Sequence, residues 1–387
     1  MYSPKNSRHF TAHMDPKSGV HYYVLSTHVA PVQQGFYFVN SGFSDDGRYL
    51  WFYCAFPPAD GHSLAVLDFL TDEMHVFPDT RGSGWMVDGE TGNVYWGCGQ
   101  GIYMRTPNPA DAPVRIAPLP AEAVRSRVQN AGTHLTFTPD RKELVTDVQT
   151  AFGSIIGSFS IADGTFTEWY RTTPGTPYNH TQVCPTDGDL CMCAHEYSWS
   201  TEKGGYLPPP LTAEGIYPRL QLIRRDGSRE MRRPLNNYAT HEWWAPNGQS
   251  IYYVSENHIV RDRLGSHEPE SVCYIPIPGG NGTWHAHCTA DERYFVVDGS
   301  HPSMGKSWWR GCASTVRFWN DESKKLIDVV TYNPVVNGYT PENPSIYHID
   351  PHPRFVVHDT LVTFTTTVCG RVDVAIAETA ELIEKSR

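Results

Sequence analysis

The chain has little that builds helices. Across its 387 residues, strong helix-forming stretches are nearly absent. The exception is the final run AETAELIEKSR, which reads as a short helix or frayed tail within residues 376–387. No apolar run is long enough to span a membrane, and Met1 to Leu25 has no apolar core of signal-peptide length. Those two absences predict a cytoplasmic protein that does not engage a membrane. Positive charge is scarce as well: with 31 Lys and Arg against 42 Asp and Glu, the formal net charge is −11. Such a chain has no general pull on nucleic acid or anionic lipid, so an anionic ligand needs locally placed cations. No GxSxG elbow, P-loop or dinucleotide fingerprint occurs, which removes support for those chemistries. The nine cysteines are odd in number, and the CMC run Cys191 to Cys193 is not a zinc spacing. Several, such as Cys54, Cys273 and Cys369, fall in strand-like segments and read as reduced core thiols.

What the chain does have suits β structure. Aromatics reach 12%, and 32 Gly and 30 Pro supply turns. One pattern recurs: a polar turn, then an aromatic-rich strand. It appears at Ser44-Asp45-Asp46-Gly47, Asp88-Gly89, Thr138-Pro139-Asp140, Pro185-Thr186-Asp187-Gly188, Ala245-Pro246-Asn247-Gly248, Thr289-Ala290-Asp291 and His358-Asp359. The spacing is roughly 45 to 65 residues, the range of propeller blades. Partner segments such as SLAVLDFLTDEMHVF and STVRFWNDESKKLIDVV each read as strand, turn, strand. The expectation is an all-β, seven-bladed propeller forming one domain over residues 1–387. A strand around Gly19 to Thr27 would close the ring against the last blade.

Eighteen histidines are present, and their placement says more than their number. His180, His241, His285, His287, His348 and His352 precede the turns of four consecutive blades, and so face one end of a central channel. Imidazole suits several transition ions, and an adjacent carboxylate shifts preference toward harder ions such as Mn. His285 and His352 are the leading ligands, with Asp350 and His348 completing the set. The expected cofactor is therefore a divalent cation, Mn ahead of Zn or Ca. The prolines of the run His348-Ile349-Asp350-Pro351-His352-Pro353 restrain the backbone that presents these ligands. His195-Glu196 can orient a ligand or satisfy itself, while Arg219 enters a strand from a Pro- and Gly-rich loop and faces the channel. Trp243, Trp244, Trp308 and Trp309 are candidates to stack on sugar rings, the first pair being equally suited to blade core.

The segments THEWWAPNGQSIYYVS, CAHEYSW with PRLQLIRRDGS, HCTADERYFVVDGS and DPHPRF occur in an order and phase that resembles the oligogalacturonate lyases. Those are intracellular seven-bladed propellers that degrade short pectin fragments. The resemblance implies that His241 is a catalytic base assisted by Arg219, and that His285 and His352 hold a manganese-like ion. Where that family carries Gln and then His-Pro-His-Pro, this chain has Tyr347 and Asp350-Pro351-His352-Pro353. The implied reaction is β-elimination from an acidic oligosaccharide, leaving a 4,5-unsaturated uronate. Tyr347, His180 or water would protonate the leaving oxygen, and His195, Trp243 and Arg219 would contact substrate. The competing readings are a lyase for another uronate linkage, such as rhamnose-glucuronate, a hydrolase, and a non-catalytic binding platform. Oligomeric state is not readable from the sequence.

Overall fold

The computed structural model describes residues 2–266, 268–276, 282–305, 307, 309–336 and 347–387. It is a seven-bladed β-propeller. Six sheets follow one another along the chain, and the seventh joins the two chain ends. The first strands of the blades line the channel: Val32–Gln34, Ser83–Val87, Val128–Asn130 with Thr136–Phe137, Tyr178–Cys184, Thr240–Trp244, Thr283–Cys288 and Arg354–Val356. Each polar turn read from the sequence joins a first strand to a second one. As expected, His21–Leu25 pairs with Asp373–Glu378 and closes the ring, with Tyr23 opposite Ile376. Phe10–Met14 then adds an outer strand. The C-terminal run forms the helix Thr379–Lys385, whose Leu382 is buried against the last blade.

The core lies in the seams between blades. A blade is apolar on both faces, so each seam buries side chains from two neighbours. Trp51 and Leu64 of the first blade meet Trp85 and Trp96 of the second. Tyr252 and Val254 of the fifth meet Ala286 and Phe295 of the sixth. Burying one such large side chain is worth roughly 1.5–3 kcal/mol, so the seams dominate cohesion. All nine cysteines are free thiols, and seven are buried. Cys369 differs from expectation: it is exposed, in a turn rather than a strand. Among the described residues, no helix is long and apolar enough to cross a membrane.

One segment breaks the repeat. The first blade's inner strand stops at Gln34, and the chain then crosses the channel. Phe36 packs into the seam between the first two blades, while Phe38 reaches the seam between the fifth and sixth. Asn40 donates from Nδ2 to the Trp85 carbonyl at 2.9 Å, and Arg354 donates to the Phe38 carbonyl at 2.5 Å. Between these anchors sits Tyr37, on the axis.

Candidate active site at one end of the channel

Bulges build the site. In the fourth blade, His180 and Thr181 together oppose one residue of the next strand; in the fifth, His241 and Glu242 do the same; in the sixth, Trp284 and His285. A bulge re-aims the side chains at its position. Here it turns imidazoles that a regular strand would direct elsewhere toward one end of the channel. His180, His241, His348 and His352 also have positive φ, at 53°, 54°, 53° and 46°. For residues with a Cβ this costs on the order of 1–3 kcal/mol each, and such strain gathers at functional sites.

His285, His348, Asp350 and His352 offer ligand atoms that all lie within 4.8 Å of one another. Three of the four are buried, and His348 opens to solvent. Asp298, fully buried, organises the group. It accepts the backbone N–H of His285 at 2.8 Å and that of His352 at 2.9 Å, and lies 3.0 Å from His285 Nδ1. A proton on Nδ1 leaves the Nε2 lone pair of His285 facing the cluster. Nε2 of His285, Nε2 of His352 and both carboxylate oxygens of Asp350 are buried without a hydrogen-bond partner among the described residues. Asp350 Oδ2 stands 3.2 Å from His348 Nε2. Burial pushes His285 down to about 3 and His352 well below the ordinary imidazole range, so both are neutral. Burial alone would raise Asp350, but His348, His285 and Arg310 hold it below the usual carboxylate value. Two neutral imidazoles and an ionised carboxylate with bare lone pairs form a donor set that fits a divalent cation.

His241 lies against this group, its ring centroid 4.1 Å from that of His285. Its Nδ1 is 2.5 Å from the Trp284 carbonyl. A carbonyl only accepts, so Nδ1 carries the proton and Nε2 is left as a free base. Burial, with His285 and Arg219 nearby, keeps His241 well below the ordinary range and hence neutral.

Behind it, the buried Arg219 donates from Nε to Glu242 Oε2 at 3.0 Å and from Nη1 to Glu196 Oε1. His180 Nδ1 lies 3.4 Å from Glu242 Oε1. Burial by itself raises Glu242, yet Arg219 and His180 outweigh it and leave the carboxyl well below its usual value. Removing one member of such a pair strands a buried charge, so Arg219→Ala should cost roughly 3–5 kcal/mol in denaturant unfolding. The depressed carboxyl also fixes the pH dependence. The stability it contributes is complete above the unfolded glutamate value of about 4.3 and drains away as pH falls toward its folded value. Glu242→Gln should therefore flatten the loss of stability below about pH 4; an unchanged acid limb would remove this pair from the account.

Tyr37 meets five imidazoles. Its ring centroid lies 4.8 Å from His352, 5.2 Å from His134, 5.6 Å from His285, 5.8 Å from His180 and 5.9 Å from His348. Burial raises its phenol well above the ordinary value, so it stays protonated. Two cavities meet at Tyr37, His180 and His348. The larger, about 830 Å³, runs past His241, Arg219 and Asp350 to Arg310 and to the aromatics Trp199 and Tyr206. The smaller, about 260 Å³, lies between the first blades and the segment carrying Tyr347.

Of the residues singled out from sequence, His180, Arg219, His241, His285, His348, Asp350 and His352 converge on this end. The others go elsewhere. Tyr347 donates its hydroxyl to the Ala59 carbonyl at 2.6 Å and lines only the smaller cavity of the two. His195 packs on Tyr178 outside both cavities, whereas its neighbour Glu196 reaches the site. Trp243 is 2% exposed and stacked on Tyr252 in a seam, because the bulge before it shifts strand phase and turns it inward. Trp244 is likewise buried, in the next seam. His287 lines a third cavity among the polar turns, at the opposite channel end. Trp308 falls outside the described residues, and Trp309 lines neither of the two cavities. Sequence reasoning missed Glu242, Tyr37, Arg310 and the pair Trp199 and Tyr206. The last two are 57% and 70% exposed on a hairpin inserted into the fourth blade.

Fold and site together define a seven-bladed propeller with a histidine and carboxylate group at one channel end. Two solved structures share the fold over nearly their whole length. An oligogalacturonate lyase in complex with manganese is 18% identical with a TM-score of 0.72, and covers 95% of this chain and 96% of its own. An oligogalacturonate lyase from Vibrio parahaemolyticus gives the same values. Hydrazine synthase from Kuenenia stuttgartiensis is more distant, at 11% identity and a TM-score of 0.51 over 91% of this chain. No protein-family model and no curated protein matches the sequence. At these identities the likeness carries the fold alone.

Proposed function

We propose that this channel end is the active site of a polysaccharide lyase that cleaves short uronate-containing oligosaccharides by β-elimination. One observation carries the reading: His241, neutral and with Nε2 bare, stands beside a donor set for a divalent cation. The C5 proton of a uronate is weakly acidic, and its removal piles charge onto the adjoining carboxylate. His285, Asp350, His352 and His348 would hold a cation, which when bound would supply the positive charge that this carboxylate needs. The carboxylate in this mostly imidazole set admits harder divalent ions such as manganese. The free-thiol chemistry of the chain fits a reducing, cytoplasmic setting.

The chain's own residues divide the remaining work. His241 accepts the C5 proton at Nε2. Arg219, spanned by Glu196 and Glu242, keeps a positive charge next to His241 and so opposes its protonation in the resting state. Tyr37 and His180 stand where the two cavities meet, in place to donate to the departing O4 oxygen. Arg310 makes no ion pair among the described residues, which leaves its guanidinium free for a further carboxylate of the substrate. Trp199 and Tyr206 offer ring faces to sugars farther along the chain. The manganese-bound lyase of the same fold supports the reading.

The test is absorbance near ~235 nm, where a conjugated unsaturated uronate absorbs, on a panel of uronate oligosaccharides with and without chelator. A rise that the chelator removes is the expected result. Silence from folded, metal-loaded protein across the whole panel would sink the reading.

A further inference from the structure

At the opposite end of the channel a cavity of about 350 Å³ opens among the polar turns. Arg354, the first residue of the last blade's inner strand, borders it. Its Nη1 donates to the Phe38 carbonyl at 2.5 Å; among the described residues that is the guanidinium's single hydrogen bond, and it forms no ion pair. Nε is buried without a partner among them. His287 borders the same cavity at 8% exposure, and its Nδ1 is buried and equally unmet. The two carboxylates at this cavity are engaged elsewhere. Asp359 accepts the Ala290 N–H at 2.7 Å, and the Asp45 carboxylate lies over Gly89 of the second blade. A positive charge drawn out of bulk water without a counter-charge is costly. Water would satisfy its N–H groups but not its charge.

We infer that this cavity binds the carboxylate of a compact organic acid, with Arg354 as its counter-charge. Nη1 is committed to Phe38, so the free edge of the guanidinium is Nε with Nη2. Two parallel N–H groups on that edge match the two oxygens of one carboxylate. His287 adds a hydrogen bond through Nδ1. A phosphate or sulfate dianion fits less well, because a single cation would face two negative charges with Asp45 and Asp359 on the same wall. Trp243, Trp244 and Phe355 form the apolar part of the wall, and the volume has room for one ring. None of the residues proposed for catalysis borders this cavity, so the site stands apart from the lyase reading.

The test titrates the metal-loaded wild-type protein with benzoate by calorimetry, with benzamide and inorganic phosphate as controls, and solves a crystal structure of the benzoate complex. The expected result is saturable binding of benzoate, at least tenfold tighter than either control, with its carboxylate on Nε and Nη2 of Arg354. Arg354→Lys keeps a charge and a donor for the Phe38 carbonyl but loses the two-pronged edge, and it should weaken benzoate at least tenfold. Equal binding by folded Arg354→Lys would overturn the site. So would the absence of saturable binding to wild type, or benzoate located away from Arg354, and neither result depends on the variant. Benzamide binding as tightly as benzoate would overturn the role of charge, and tighter binding of phosphate would overturn the choice of a carboxylate.

Discussion

Replacing His241 with Ala should lower turnover by about 10²–10⁴-fold, the usual worth of a positioned general base. The variant should still fold and bind metal. The argument rests on how the ring is held. Its Nδ1 is committed to the Trp284 carbonyl, so the neighbouring bulge fixes the tautomer. Its Nε2 has no such commitment, and the ring borders the larger cavity. Deleting the ring removes a base without removing a ligand of the cation group. Metal content should therefore match wild type, and millimolar imidazole should restore part of the rate by entering the vacated space. A purely structural histidine would behave otherwise: imidazole would not rescue the rate. Turnover above a tenth of wild type in His241→Ala would remove the base from this mechanism.

Much of this architecture is legible in the sequence because a propeller repeats its turns. Each Asp-Gly or related turn marks the passage from first to second strand, and histidines just before such turns fall at the channel. The structure brings His180, His241, His285, His348 and His352 to one channel end, as that phase argument expects, with Asp350 among them. It fails for His287, because the bulge at Trp284 and His285 breaks the strand's regular phase and leaves the two histidines on different cavities. It fails for Trp243 for the same reason, one blade earlier. Bulges have no composition of their own, and positive φ at histidine is invisible without coordinates. Tyr37 sits in GFYFVNSG, where three apolar or aromatic neighbours make it read as ordinary core; only the crossing of the axis gives it a role. Glu242 follows a histidine that draws attention first, and its value comes from Arg219, 23 residues away. Trp199 and Tyr206 lie in the Pro- and Gly-rich stretch that separates two strands of one blade, and a hairpin there is an insertion that the repeat does not foretell.

Removing the cation should be the other large effect, and it should reach stability as well as rate. With no ion, the lone pairs of His285, His352 and Asp350 have no hydrogen-bond partners among the described residues. Buried acceptors left unmet cost about 1–3 kcal/mol each, and an ion that binds only the folded state adds stability that grows with the logarithm of its concentration over Kd. Chelation should therefore lower the unfolding temperature measurably and abolish the rise in absorbance, and added manganese should restore both. The variants separate ligands from their support. His285→Ala and His352→Ala should each lose stoichiometric metal. Asp298→Asn should weaken binding by about 10–100-fold, the usual effect of disturbing a group that orients a ligand. Asp298 earns that expectation by gripping the backbone of both His285 and His352 as well as the His285 ring, so an amide there loses at least one of three contacts. If chelation and reloading shift neither the unfolding temperature nor the rate, the four side chains are a polar cluster and not a metal centre.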